Sequence, residues 1–542
     1  MNNLKNKVVI MTVFLILVVL FGCKSNDETT NQDINNGSDT KNVDTSTSSS
    51  DDENRSDSGG DLNIALSAQP AHLDTQLTTN QVIREVSRNI YETLVALDEE
   101  YHVQPMLAES IDQSDDYEKY TFYLRKGVKF HNGDEMTAED VVASMNRWKS
   151  LYPNAQAMLG DSEFEKVDDY TVEINLSQSY SDFLVSIAGA KQIPVIMPAD
   201  IAETSGKDIL EEYIGTGPFK FLEWKQDQYL QLTKYEEYES VDFESSGMAG
   251  KKEALVENVY YHFVTDSSTR LAGIQTGEYH IAEKLSYDDY DMVESDQNLN
   301  PLVDHYASAT LVFNKKEGIF TDVNMRKAVN AALDIEQILM GAFSNDIFYD
   351  MTSSYIYEKQ IDWFSEEGKE FYNQTDPKLV QDYLEEADYN GEPIKIVTTR
   401  DYEYMYNISV VLQQQLEEAG MTVDLQVFDW ASLDAVQEEP EKWDIANINF
   451  TPVTSPIDLL YFSTTWRGWN DDEEILDLLD QIAKSSSKEE KKGLWDKTQA
   501  RSWDYLPIIK LGDFNDFIAS SSSVEGLSLF QGLILWNTKV IE

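Results

Sequence analysis

Ninety-eight carboxylates, six imidazoles and one thiol set the chemistry open to this chain. The thiol, Cys23, has no second cysteine to pair with, which excludes an internal disulfide and thiolate-cluster chemistry. His72, His102, His131, His262, His280 and His305 stand apart in sequence, without metal-ligand spacing. No HExxH, Walker loop, GxSxG elbow or serine–lysine signature occurs. Acidic pairs suited to glycoside cleavage can be picked anywhere among so many carboxylates, so such a pair carries no information. Two segments do suggest chemistry. Phe450, Tyr461, Phe462, Trp466 and Trp469 cluster with Arg467 between the tryptophans, where rings stack on a ligand and the guanidinium forks a carboxylate; helix-face packing and surface exposure are the competing explanation. Arg400 with Tyr402, Tyr404 and Tyr406 opens a predicted helix whose first N–H groups favour anions, unless Tyr404 only packs on its own helix. This is the chemistry of binding. We expect no enzyme, no cofactor and no metal, with a secreted hydrolase as the competing class; turnover as against stoichiometric binding separates the two.

The elements that must position these residues are legible in the apolar periodicity. Leu62–Leu66 alternates as a strand, and Asn80 caps a helix repeating Val82, Val86, Ile90 and Leu94. Tyr120–Leu124 is strand-like, and Thr137-Ala-Glu-Asp140 opens a helix. Further strands are predicted at Tyr170–Leu176, Phe219–Trp224, Gln228–Leu232 and Val259–Val264. After Phe313 the pattern changes. Asp376-Pro377 starts a helix, strand Ile394–Thr398 follows, then a helix stopped by Gly420, then strand Met421–Phe428, and Asp444–Phe450 extends the set. Strand, helix, strand with short joints implies a parallel sheet covered by helices. Ser487-Lys-Glu-Glu490 reads as a full capping box. Gly215-Thr-Gly-Pro218 lacks the Lys-Ser/Thr of a phosphate loop and reads as a tight turn. With 542 residues the chain suits two to four domains, here two α/β lobes with a ligand crevice between them.

The formal charge is 42 − 98 = −56, spread along the whole chain as a solvated acidic shell, so nucleic acid and anionic lipid surfaces are repelled. Lys5 and Lys7, the apolar run Val8–Leu20 and Gly22-Cys23 form a signal-peptide layout, too short for a span of about 20 residues. Residues 1–22 are read as the signal peptide. The junction resembles a bacterial lipobox, which implies lipidation of Cys23 as the mature N-terminus. Residues 23–60, nearly free of apolar side chains, are expected to form a disordered tether.

Several segments together resemble the solute-binding protein family 5 of ABC importers, the group that includes oligopeptide-, dipeptide-, glutathione- and nickel-binding proteins. The clearest runs from Tyr120-Thr-Phe-Tyr-Leu-Arg-Lys-Gly-Val-Lys-Phe-His-Asn-Gly133 to Thr137-Ala-Glu-Asp-Val-Val142. Ile90–Val95, Gln104–Ser110, Gly215–Phe219, Phe313-Asn314 and Met325–Ala328 follow in the family's order. The resemblance implies an α/β, two-lobed periplasmic-binding-protein-like fold of three domains. Domain I combines 61–103, 225–310 and 500–542, domain II is 104–224 and domain III is 311–499. It also implies an extracytoplasmic component, expected as a monomer, that captures a small solute, foremost a short peptide, and hands it to a membrane permease. The alternative is the same role for an oligosaccharide, metal chelate or other organic solute.

In peptide-binding members a carboxylate after the strand represented here by Asp444–Asn449 holds the peptide's ammonium. In this chain that position falls on Val453, after Phe450 and Thr451, with Asp458 downstream. Either Asp458 or another acid substitutes, or the ligand has no free ammonium. Ser67 and Gln69, after the first strand, sit where the family's first lobe meets its ligand. Trp466, Arg467, Arg400 and Tyr404 complete the expected site. For the anchor, replacing Cys23 with Ala is expected to release the protein into the medium and to abolish incorporation of a radiolabelled lipid. Unchanged membrane retention would contradict the reading.

Overall fold

The computed structural model describes residues 59–541. Cys23, the signal segment and the expected tether through residue 58 lie outside the described residues. Gly59 and Gly60, placed in the tether by the sequence reading, instead begin the first strand, Gly59–Leu66, where Gly59 pairs with Val256. Parallel pairing there uses main-chain groups and needs no side chain.

One large mixed sheet organises the fold. From one edge its strands are Val423–Phe428, Ile394–Thr399, Ile445–Phe450, Leu299–Phe313, Ile508–Ser521, Ile281–Ala282, Gly59–Leu66, Val256–Phe263, Tyr229–Lys234 and Phe219–Lys225. The predicted strand–helix–strand unit is present: Ile394–Thr399 and Val423–Phe428 are parallel in the register Ile394↔Val423, joined by the helix Glu403–Glu418. Ile445–Phe450 pairs parallel on the other side of Ile394–Thr399. A separate antiparallel sheet holds Ala108–Gln113, Lys119–Leu124, Thr171–Asn175 and Phe164–Asp168, with the helix Ala138–Leu151 beside it. Three main apolar cores result, one around Phe122, Trp148 and Phe183, one around Leu62, Val259 and Leu535, and the largest around Leu311, Trp495 and Ile509.

Three local readings change. The helix capped by Asn80 ends at Ser87, so Ile90 and Leu94 are buried without being helical. The chain leaves the helix because the carbonyls of Asn89 and Ile90 accept from the N–H groups of Phe219 and Gly217, at 3.1 and 2.9 Å. That main-chain approach also explains Gly215 and Gly217: a Cβ at either would overlap the Ile90 carbonyl, so close packing, not a tight turn, requires the glycines. The Ser487 box is half formed. Ser487 Oγ accepts from the Glu490 N–H, but the Glu490 carboxylate accepts from Ser485 Oγ.

A buried ion pair ties the segment after the first strand to the Ala138–Leu151 helix. Arg147 Nη2 donates to Asp74 Oδ2 at 2.6 Å, with side chains only 2% and 0% exposed, and Arg147 also donates to Gln76 Oε1 and to the Asp208 carbonyl. Removing one member of such a pair strands the other charge. Asp74→Ala is therefore expected to cost about 3–5 kcal/mol in urea unfolding. Asp61→Ala, which removes only an exposed hydrogen bond to Asn258, should change stability by less than about 0.5 kcal/mol.

Candidate functional site

The Ile445–Phe450 strand ends at the centre of the molecule. Beyond Phe450 its chain leaves the ladder with Leu299–Phe313, and the next residues turn into a cavity of about 440 Å³. Phe450, Thr451, Val453 and Asp458 line one wall, and Trp148, Tyr152, Met158, Tyr180 and Lys191 line the facing one. The walls are fastened across their edge. Lys491 Nζ lies 2.6 Å from Asp182 Oδ2 and 2.7 Å from Ser181 Oγ, and Gly189 approaches Thr454 so closely that a Cβ would overlap its methyl group.

Asp458 lines this cavity, and its carboxylate makes no hydrogen bond or ion pair among the described residues. Burial raises its pKa to about 6, Asp182 adds to the effect, and Lys191 opposes it. Val453 offers only its carbonyl oxygen, which accepts from Gln360 Nε2 at 2.5 Å. The lining thus combines aromatic and apolar groups, Trp148, Tyr152 and Met158, with the charged Lys191 and Asp458.

A second cavity of about 670 Å³ adjoins it and takes in Ser67 and Tyr404. Tyr404 stacks with Phe343, at 5.8 Å, and packs against Phe514, at 5.1 Å, so it is held by other elements and not by its own helix alone. Its hydroxyl accepts from Asn449 Nδ2 at 2.6 Å, which links a wall of one cavity to a wall of the other. Lys284 is the cation there, 3.9 Å from Asp516 Oδ2 and 5.1 Å from the Tyr306 ring centre. Asp516 is buried, which raises its pKa.

The remaining expected residues lie elsewhere. Gln69 is exposed and bonds Gln226 and the Asp227 N–H, bracing the turn between Phe219–Lys225 and Tyr229–Lys234. Arg400 stacks on Tyr406 at 4.2 Å and lines neither cavity. The helix that begins after Arg400 has Glu403 in its first turn, and Asp401 precedes it, so carboxylates already occupy the position expected to attract an anion. Trp466 packs edge-on against Phe450 at 5.4 Å, behind the cavity wall. Arg467 is committed to Asp434 at 2.8 Å and Glu438 at 3.1 Å. Sequence reasoning missed Lys191, Lys284 and Tyr306. The one available signal for Lys191 was a lone cation inside the apolar stretch Phe183–Met197 of an acid-rich chain.

One large mixed sheet and a separate antiparallel sheet, with an open, partly charged cavity at the end of a central strand, give the α/β fold of the two-lobed periplasmic binding proteins. Residues 102–472 match the family described as "Bacterial extracellular solute-binding proteins, family 5 Middle". The chain belongs to that family. It is 28% identical over 493 residues to a probable peptide ABC transporter periplasmic-binding protein of Sinorhizobium fredii, covering 86% of this chain and 90% of that one. It is 29% identical over 413 residues to the oligopeptide-binding protein AppA of Bacillus subtilis, covering 71% and 72%. The crystal structure of the ABC transporter substrate-binding protein CtaP of Listeria monocytogenes superposes with a TM-score of 0.78 at 22% identity, over 90% of this chain and 100% of that one.

Asp458 carries a stability test. A carboxyl raised from 3.8 to about 6 favours folding while protonated and is penalised as pH climbs through that interval. At about 1.4 kcal/mol per unit the penalty reaches about 3 kcal/mol, and the partial exposure of Asp458 to solvent reduces it to about 2. Asp458→Asn is expected to stabilise the ligand-free protein by that amount at pH 7.5 and by almost nothing at pH 4. Equal unfolding midpoints for the two proteins at pH 7.5 would contradict this.

Proposed function

We propose that this protein is the substrate-binding component of an ABC importer and that its ligand is a short peptide, whose ammonium Asp458 holds in place of the acid absent at Val453. The observation that carries the reading is the unpartnered Asp458 carboxylate facing a cavity at the end of the Ile445–Phe450 strand. Where the chain leaves the ladder after Phe450, an extended ligand can pair with main chain while its side chains enter pockets. The names of the Sinorhizobium and Bacillus relatives support the same ligand class. Domain I comprises 61–103, 225–310 and 500–542, domain II 104–224 and domain III 311–499. The lobes hinge near 308–313 and 501–507, and closure draws its energy from the ligand's differential affinity for the closed form. The protein works as a monomer, anchored through Cys23 outside the cytoplasmic membrane, and delivers its ligand to permease subunits without chemical change. The ligand-site residues within this proposal are Ser67, Tyr404, Phe450, Thr451, Val453 and Asp458.

Val453 favours a second reading, a ligand with no ammonium, since an apolar side chain occupies the family's acid position. Calorimetric titration with a peptide library, the same peptides N-acetylated, and a panel of oligosaccharides decides between them. The peptide reading expects micromolar or tighter binding of free peptides, lost by at least about a hundredfold on acetylation, since a missing charge partner in such a site costs several kcal/mol. Oligosaccharide binding with indifference to every peptide would overturn it.

A further inference from the structure

Lys191 is the charged group of the 440 Å³ cavity that an ammonium bound at Asp458 leaves unused. It follows the Phe183–Ala188 helix, just before the buried run Val195–Met197. Other deep lysines are satisfied within the protein. Lys491 meets Asp182 at 2.6 Å, Lys510 meets Asp513 at 2.7 Å, and Lys315 donates to the Pro507 carbonyl at 2.7 Å. Among the described residues the Lys191 ammonium makes neither an ion pair nor a hydrogen bond, and it stands too far from Asp458 to bond it directly. Its surroundings disfavour the charge: burial lowers its pKa to about 7, and the nearby Arg84 guanidinium acts in the same direction. An ammonium half-buried in a cavity wall without a partner is costly, so the arrangement is completed by an anion from outside the chain.

Asp458 and Lys191 thus present an anion and a cation to one cavity, with Tyr152, Met158 and Leu459 among its apolar lining. We infer that this cavity takes a ligand whose first residue carries a carboxylate beside its ammonium, the ammonium meeting Asp458 and the carboxylate meeting Lys191. The inference rests on the peptide reading above and narrows it. An ordinary neutral first residue satisfies Asp458 alone and leaves Lys191 stranded. An amino-terminal Asp or Glu supplies both charges, as does a residue linked through its side-chain carboxyl, which keeps its α-carboxylate free. The chain's net charge of −56 repels such ligands at long range, but salt screens that field beyond about 10 Å, while Lys191 and Arg84 act at closer range.

The test is calorimetric titration of the mature protein, Lys191→Met and Lys191→Arg with Glu-Ala, γ-Glu-Ala and Gln-Ala, after an unfolding midpoint confirms that each variant is folded. The wild type is expected to bind Glu-Ala or γ-Glu-Ala at least about tenfold more tightly than Gln-Ala, and which of the two wins identifies the linkage. Lys191→Met should erase that preference, so that Glu-Ala, γ-Glu-Ala and Gln-Ala bind alike, and Lys191→Arg should restore part of it. If Lys191→Met does not fold, Lys191→Gln serves with the same expectation. Wild-type binding of both Glu-Ala and γ-Glu-Ala no tighter than that of Gln-Ala would overturn the inference and leave the peptide reading standing. A preference that survives in Lys191→Met would overturn the role of Lys191. Binding of none of these peptides or of a wider peptide library would overturn both.

Discussion

Everything in the large sheet hangs from one antiparallel pair. Leu299–Phe313 and Ile508–Ser521 run together from Leu299↔Ser521 to Val312↔Ile508, and every other strand of the sheet attaches to one side or the other of this pair. The parallel set that contains Ile445–Phe450 hangs from Leu299–Phe313, and the strands from Ile281–Ala282 to Phe219–Lys225 follow from Ile508–Ser521. Two register shifts interrupt the pair, between His305 and Ala307 and between Ala309 and Thr310. Such bulges bend and twist a strand and re-aim its side chains. Tyr306, at the first of them, reaches the larger cavity, while His305 stacks on Tyr357 at 3.6 Å.

The same strands carry charges that a purely stabilising core would not contain. Asp304 is half-buried, desolvation raises its pKa to about 7, and it accepts from the Gly532 N–H at 2.7 Å. Asp513 takes the Lys510 ammonium at 2.7 Å and the Ser308 hydroxyl at 2.6 Å, and Asp516 faces Lys284. Desolvation of paired ions offsets most of their attraction, so these groups are poor explanations for the stability of the fold. Lys284 and Asp516 line the larger cavity, which gives them another use: oriented charge in a low-dielectric space, where an interaction with a ligand is stronger than it is in water.

The cavity walls come from segments distant in sequence that fold into different cores. Trp148 and Tyr180 belong to or pack against the core of the small sheet, whereas Phe450 and Leu459 pack with the largest core. Lys491–Asp182 and the contact of Gly189 with Thr454 hold the two walls together without bonding any residue that faces the charged end of the space. Charges left unpaired inside such an enclosure are a reservoir of differential affinity: a ligand that neutralises them stabilises the enclosed form over an open one by the amount it contributes.

Much of this was readable from residue order. Strand periodicity placed the first strand, the Ile394–Thr399 and Val423–Phe428 pair and the strand ending at Phe450, and polar caps placed the helices after Asn80 and Asp376, because those signals are local and repeat within a few residues. The family was readable too, through motifs spread over the chain, as was Asp458, the acid nearest to Val453 in sequence. Tertiary packing decided the rest. It drew Arg467 onto Asp434 and Glu438, tied Gln69 to a distant turn, ended the first helix at Ser87 and brought Lys191 across from Asp458. Those outcomes depend on partners dozens to hundreds of residues away. A sequence states which charges exist; only the fold decides which of them find partners and which face an empty cavity.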